Sequence, residues 1–494
     1  MSKIKYLANN LALFSVSNFV SKILVFLLVP LYTNVLTTRE YGIADVFQVT
    51  LLLLVPALTV NMGEGALRYG IAQAGKRDLI LKIGLKYTFL ASALVALIGA
   101  AATCFVPETY RFFPLYFAIL FATNALYEYL ILYFQGCEQV KIVVLGSIAS
   151  TVMIISCNLV FLLLVKLGLR GYLFSQMIAY AVAAGLMLLL GRSAKKAAGQ
   201  EDTAGEAPEE ASEDTETADK PGDKKRLEKE LLSYGAPLIL YSTGSWINNA
   251  SDRYLVLYLL GAAANGVYGV AYKIPAILMV FQRIFAQAWQ MSATKSYQDS
   301  ESEAFFSMMY RAYHTVMVIG CSVLILLVKP VARFLFQKDF YEAWVFVPPL
   351  LISVIFGALT GFLGSINLAH KDSKSMGIAT FSGAALNVIL NVILIPKTGA
   401  MGAAIATAVS YFTMYFAALL ITRKHVRIRS NFVRDYLAYA VLIVQSVLMI
   451  NGKGTRLYLY ASLAVLLLFF MHIKEIAELY ERMKGILKRK KDET

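Results

Sequence analysis

The chain has 494 residues, 58% hydrophobic and 16% charged, with a mean hydropathy of +0.62 and a formal net charge of +14. Soluble globular domains sit near 45–50% apolar and 25% charged, so hydropathy overrides the three soluble domains that length alone suggests. The positive charge calls for no nucleic acid either, because membrane topology accounts for most of it, as shown below.

A membrane span needs roughly 20 mainly apolar residues, because the hydrocarbon core is about 30 Å thick. Backbone polar groups in lipid are satisfied only within the structure, so such segments are helices rather than open sheets. Fourteen segments qualify: six, a charged stretch at 192–230, six more, then two. The expected fold is therefore an all-α polytopic membrane protein with about 14 transmembrane helices. Its expected parts are an N-terminal six-helix bundle (1–191), a charged cytoplasmic linker (192–230), a second six-helix bundle (231–422), and helices 13–14 with a basic tail (423–494).

At 100° per residue, the first span (9–33) places Ser15, Asn18 and Lys22 on one face. It is too long for a signal-peptide core and reads as a retained span. The second (43–63) groups Asp45, Gln48 and Thr59, with Pro56 inside; Glu64 and Arg68 at its inner end are a gate pair or ordinary loop charges. The third and fourth are 83–106 and 113–134, and the fourth carries Glu128 with Asn124 and Gln135 on its side. The fifth and sixth are 142–165 and 171–191. In the linker, 200–219 holds nine acids among twenty residues and no aromatic, so it cannot bury a core and is expected to be a disordered connector. The mixed-charge 220–230 can lead helically into the seventh span.

The seventh span (231–260) places Tyr241, Ser245, Asn248 and Asp252 within about 60°, with Arg253 on another face. The eighth (265–290), if continuous, gathers Lys273, Arg283, Gln287 and Gln290 within about a 100° arc, although Pro275 should bend it. The rest are 311–330, 345–368, 375–395, 401–422, 435–451 and 456–473. With the N-terminus inside, 31 lysines and arginines fall on the cytoplasmic side and 10 on the other, so both termini are expected in the cytoplasm. The basic tail at 484–491 can touch anionic lipid.

Intramembrane charge normally faces a bundle interior or a water-filled cavity. The polar faces thus suggest a hydrated lumen. Lys22, Arg253, Lys273 and Arg283 would attract an anionic group; Asp45, Glu128 and Asp252 would balance charge or carry a coupling Na⁺ or H⁺; Asn18, Gln48, Asn248 and Gln287 would complete the polar lining. An internal ion pair, for example Asp252 with a lysine on another helix, is the plainer reading of any single residue. Arg283, near a span end, could simply snorkel. The four cysteines and four histidines are scattered without metal or disulfide spacing, so no cofactor or metal cluster is expected. Walker, H-E-x-x-H and G-x-S-x-G motifs are absent, and the longest outer loop, 331–344, is too short for an external catalytic domain.

The two halves share spacings. Leu36 to Gly42 follows the first span as Leu260 to Gly266 follows the seventh; Gly168 to Gly171 precedes the sixth as Gly399 to Gly402 precedes the twelfth, each with a tyrosine nine residues on, Tyr180 and Tyr411. Six spans per half is an even number, so the repeats should run parallel about the membrane normal.

Three passages carry a family resemblance: Asn18-Phe-Val-Ser-Lys22 with Pro30-Leu-Tyr and Glu40-Tyr-Gly42; Asp252-Arg253-Tyr-Leu with Leu260-Gly261 and Gly266 to Lys273; and Gly399-Ala-Met-Gly402. The chain resembles bacterial polysaccharide-biosynthesis flippases of the multidrug/oligosaccharidyl-lipid/polysaccharide (MOP) superfamily, related to the MATE exporters. The resemblance implies a V-shaped pair of six-helix bundles working by alternating access in the cytoplasmic membrane. It implies translocation of an undecaprenyl-diphosphate-linked oligosaccharide for surface polysaccharide, a basic lumen carried over to Lys22, Arg253 and Lys273, and a lipid-tail groove in the last two spans. The expected partners are membrane lipid, the lipid-linked glycan and the pathway's glycosyltransferases and polymerase, with a monomeric transporter that is not an enzyme. The competing readings are a cation-coupled multidrug exporter of the same superfamily and, further off, a membrane polysaccharide polymerase. An exporter favours an acidic cavity, and a polymerase usually needs a soluble loop or an acidic catalytic pair.

Overall fold

The computed structural model describes residues 26–201, 221–296, 302–370, 372–454, 456–478, 480–481 and 484. The expected first-span polar face (Ser15, Asn18, Lys22) and nearly all of the acidic connector lie outside the described residues. The protein is all-helical among the described residues, with ten helices long and apolar enough to cross a membrane, or eleven when one bent pair is counted as a span. Large apolar side chains such as Phe89, Leu97, Ile98, Phe381 and Ile389 stand exposed, as lipid-facing surfaces require and soluble monomers avoid. The chain divides into two compact units. The first takes the chain up to Leu36 and Ile43–Trp246; the second takes Thr37–Gly42 and the chain from Ile247 on.

Within the first unit, the helices in chain order are α1 (Val29–Val35), α2 (Thr38–Leu58, whose first turn belongs to the second unit), α3 (Met62–Ala72), α4 (Arg77–Ala102), α5 (Phe113–Gly136), α6 (Val140–Asn158) and α7 (Leu169–Glu201). The first part of α8 (Pro221–Leu260) completes it. α5 is the hub, packing on α3, α4 and α7. Its buried Leu130 and Phe134 meet Met62, Ile80, Ile83 and Met187, and Leu227 and Leu231 of α8 close the same core. The charged start of α8 is thereby a working helix. Glu228 accepts from Lys86 Nζ and Tyr87 OH, both at 2.8 Å. The Lys86 hydrogen bond, then that from Tyr87, hold the Glu228 carboxyl below its ordinary range.

In the second unit α8 continues, followed by α9 (Ala262–Ala271), α10 (Pro275–Ser296), α11 (Ser302–Leu326), α12 (Val328–Leu335), α13 (Val347–Ala369), α14 (Ser373–Thr398), α15 (Ala400–Thr422), α16 (Phe432–Asn451) and α17 (Arg456–Met471). α13 is apolar all round and is the buried centre, packing against α10, α11, α15 and α16. α16 and α17 form a hairpin laid on α11. Buried Gln445 pins it: its amide donates to the Ser322 carbonyl (3.1 Å) and the Ala461 carbonyl (3.2 Å) and accepts from Ser322 Oγ (2.8 Å).

The expected eighth span is broken. α9 and α10 diverge by 51° across Tyr272–Ile274, immediately before Pro275, which lacks the N–H a continuous helix needs. The single arc expected for Lys273, Arg283, Gln287 and Gln290 is therefore not one helical face: Lys273 sits in the break itself.

The repeat glycines have matching structural roles. Gly168 and Gly399 each precede a helix with positive φ, 56° and 65°. Gly42 and Gly266 meet one another where the first turn of α2 crosses α9. A Cβ on Gly42 would lie 1.9 Å from the Ala262 carbonyl oxygen, and one on Gly266 would lie 1.9 Å from that of Thr38. Asn265 Nδ2 donates to the Gly42 carbonyl at 3.1 Å across the same crossing. Small residues let helices approach this closely in a membrane.

Candidate functional site

The second unit assembles a polar site around Asp252, buried at 2% exposure on α8. Tyr268 OH on α9 and Tyr272 OH in the break donate to Asp252 Oδ2 at 2.6 and 2.5 Å, and Thr407 Oγ1 on α15 lies 3.5 Å away. The second carboxylate oxygen accepts from the Arg253 backbone N–H at 2.9 Å. The network continues through α14. Asn387 Nδ2 reaches Thr407 Oγ1 at 3.4 Å, Asn387 Oδ1 accepts from Asn391 Nδ2 at 2.9 Å and from Ser251 Oγ at 3.3 Å, and Asn391 Oδ1 is buried without a hydrogen-bond partner. Tyr268, Tyr272 and Thr407 thus put hydroxyls on one buried carboxylate, and α14 joins the network through Thr407 and Ser251.

Helical periodicity explains half of this. Asn248 and Asp252, one turn apart on α8, share the buried face, with Asn248 Nδ2 donating to the Thr380 carbonyl at 3.4 Å. Arg253 projects from another face and lays its guanidinium 4.5 Å over the Tyr272 ring, a cation–π contact beside the same network. Lys273 is the next residue in the break and is half-buried. Among the predicted site residues, the structure places Asn248 and Asp252 on one buried face, with Arg253 over the Tyr272 ring beside them. Arg283 stands exposed on α10, ten residues beyond Lys273, and Gln287's side chain lies outside the described residues.

Asp45, Gln48 and Glu128 belong to the first unit. Asp45 is half-buried on α2, and Gln48 Nε2 donates to Gln176 Oε1 at 2.7 Å. Glu128 projects from α5 into a cavity of about 220 Å³ shared with Pro56, Asn61, Glu64, Tyr129 and Ser242. Arg68 does not join Glu64 in that cavity and instead lies over the Tyr234 ring at 4.6 Å. Asn18 and Lys22 lie outside the described residues.

Sequence reasoning missed Asn387, Asn391 and Thr407. The asparagine pair, one turn apart in an otherwise apolar span, was the available signal. It also saw the histidines as scattered, whereas the fold pairs them. The His370 and His425 rings stack at 5.0 Å, and those of His314 and His472 lie 5.5 Å apart. His425, just past α15, hydrogen-bonds Asp372 in the loop before α14 at 3.1 Å; that bond, then one from Ser375, holds the Asp372 carboxyl down at about 2.

The helical order and packing define the class. The structure superposes on an inward closed lipid II flippase, MurJ, with a TM-score of 0.65 and 15% identity over 96% of this chain and 99% of that one. It superposes on an inward-facing MATE family multidrug transporter of the MOP superfamily with a TM-score of 0.66 and 12% identity, over 85% and 96%. The fold is therefore the one these two membrane proteins share. Residues 7–293 match the polysaccharide biosynthesis protein family, and the chain belongs to that family. It is also 26% identical over 194 residues to a probable low-salt glycan biosynthesis flippase, Agl15, of Haloferax volcanii, a match covering 37% of this chain and 39% of that protein. The chain spans about two-fifths of the length of the curated relatives it matches.

Proposed function

We propose that the protein is an alternating-access flippase that carries a polyprenyl-diphosphate-linked oligosaccharide from the inner to the outer leaflet of a bacterial cytoplasmic membrane. In this reading the chain has fourteen spans, as two six-helix bundles (1–191 and 231–422) joined by the linker at 192–230, with two further helices and both termini cytoplasmic. The observation that carries the reading is an apolar groove of about 790 Å³ on the α16–α17 hairpin, lined by Leu437, Val441, Val444, Tyr460, Leu463 and Leu467, in a chain of the polysaccharide biosynthesis family. A drug exporter has no need of a long groove for an isoprenoid chain. The match to the lipid II flippase also takes in 96% of the chain, against 85% for the multidrug transporter.

The diphosphate would be met by Lys22, Arg253 and Lys273, with Arg283 near a span end attracting it. Arg253, seated on the Tyr272 ring, couples such an anion to the Asp252 network. That network also suits a hard cation: carboxylate, hydroxyl and amide oxygens are the donors such ions prefer, and Asn391 Oδ1 is a buried acceptor with no donor. Asp252, Asn387, Asn391 and Thr407 would hold a coupling Na⁺, whose gradient supplies the driving force. Glu128 in its cavity and Asp45 are the proposed sites of charge balance or proton uptake, with Gln48, Asn248, Asn18 and Gln287 as polar lining. Those carboxylates favour a second reading, a cation-coupled exporter of the same superfamily. Glycosyltransferases and a polymerase of the same pathway are the proposed partners.

The test is complementation of a flippase-deficient strain with Lys22→Ala, Arg253→Ala and Lys273→Ala. Each variant should insert normally and export at least about tenfold less glycan, the loss of one charged contact of about 1.5–3 kcal/mol. Full export by all three contradicts the cationic lumen.

A further inference from the structure

A second buried polar cluster lies in the second unit, distinct from the Asp252 network and unused by the transport scheme. His314 on α11, Asp435 in the first turn of α16 and His472 just past α17 come together although 121 and 37 residues separate them in sequence. His314 and His472 are fully buried and Asp435 is 1% exposed. One donor atom from each lies within 4.8 Å of the others, and His314 Nδ1 is 3.8 Å from Asp435 Oδ1.

The hydrogen bonds fix what these atoms can do. His472 Nδ1 lies 2.9 Å from the Leu468 carbonyl, which only accepts, so the proton is on Nδ1 and Nε2 carries a lone pair. That Nε2 is buried without a partner. His314 Nε2 pairs with the Tyr439 hydroxyl at 3.0 Å, leaving Nδ1 buried and unpartnered, and its 3.8 Å separation from Asp435 is too long for a hydrogen bond. Buried polar atoms left without a partner are destabilising, and a bound ion would satisfy both nitrogens. An imidazole whose far nitrogen donates to a backbone carbonyl is the usual orientation of a metal-ligating histidine.

Charge points the same way. Arg434 bonds Asp435 Oδ1 at 3.1 Å and also Glu475 Oε1, so one guanidinium faces two carboxylates. With both imidazoles neutral, the cluster has a surplus negative charge. Asp435 is held in place by Ser430 Oγ, which donates to Oδ2 at 2.7 Å. Glu475 Oε2 is buried and unpartnered one turn beyond His472.

We propose that His314, Asp435 and His472 bind a divalent transition-metal ion, of which Zn²⁺ is the best match, with Glu475 or a water in the fourth position. Two imidazoles and a carboxylate are a donor set of borderline softness that suits Zn²⁺ over Na⁺, Mg²⁺ or Ca²⁺. At zinc–ligand distances of about 2.0–2.2 Å, tetrahedral donors stand about 3.4 Å apart, so the three side chains close in by roughly 1 Å on binding. The ion would staple the α16–α17 hairpin, which carries the apolar groove, to α11. The half-buried Arg434 and Glu475 mark the side from which it enters.

The experiment uses the full chain purified in detergent, stripped with a chelator and titrated with Zn²⁺ and, separately, Co²⁺. The expected result is about one metal per chain by mass spectrometry, visible d–d absorption of the Co²⁺ form, and a Tm that rises with free Zn²⁺. His314→Gln and His472→Gln should each weaken binding by more than about 100-fold, since even outer-shell changes cost about 10–100-fold. His370→Gln, outside the cluster, should bind as the parent protein does. Failure of the unmutated protein to bind Zn²⁺ stoichiometrically overturns the proposal whatever the variants do. So does retention of full affinity in both cluster variants.

Discussion

At the residue scale, Asp252 is held by two tyrosine hydroxyls and a backbone N–H in the interior of its unit. Removing the carboxylate altogether strands those hydroxyls, so Asp252→Ala mixes a folding defect with a functional one. Asp252→Asn keeps an acceptor and removes the charge, and is the cleaner probe. Gly266 illustrates a different constraint. Its missing Cβ would collide with the Thr38 carbonyl oxygen at 1.9 Å, which is backbone and cannot swing aside. Gly266→Val should therefore cost at least the 1–3 kcal/mol typical of overpacking, roughly, and lower the thermal unfolding temperature in detergent by several degrees. An unchanged midpoint would show that the α2–α9 crossing opens freely. The sequence exposed this residue as one of a matched pair of Leu-to-Gly spacings. That the two glycines touch each other was not legible, because spacing carries no information about which repeat packs on which.

At the element scale, continuous apolar segments were legible because lipid tolerates nothing else. α13, with no charge in its 23 residues, is the plainest case. Breaks were less legible. Pro275 announced a bend, but a proline inside an apolar span signals neither the angle nor which residues leave the helix. The 51° turn puts Tyr272 against Asp252 and Lys273 in a non-helical step. Pro275→Ala removes a penalty of about 3 kcal/mol for a mid-helix proline, so α9 and α10 should tend to merge. The expected outcome is an unchanged or higher Tm with transport reduced several-fold. Undiminished glycan export would show that the break has no working role. Arg283 is the counter-example: a predicted arc that assumed one straight helix joined it to Lys273, and the break separates the two.

At the scale of the whole molecule, the succession of apolar helices was readable because it repeats many times along the chain, and the paired glycines because each pair keeps its spacing. The gathered sites were not. Asp252 joins Thr407, and through it Asn387 and Asn391, only by hydrogen bonds between α8, α15 and α14, and His314 meets His472 only because the terminal hairpin lies on α11. Single polar residues in separate apolar spans give no pairing signal. The flippase reading joins these levels: a hairpin groove for an isoprenoid chain, cationic side chains for a diphosphate, and a buried oxygen-rich site for a driving ion. Reconstitution into liposomes holding a polyprenyl-diphosphate-linked oligosaccharide in one leaflet tests it most directly, with lectin accessibility in the other leaflet as the readout. The account predicts translocation that a sodium gradient accelerates and that Asp252→Asn abolishes. Folded, correctly inserted protein that leaves the glycan in its original leaflet while exporting small cationic drugs would contradict it.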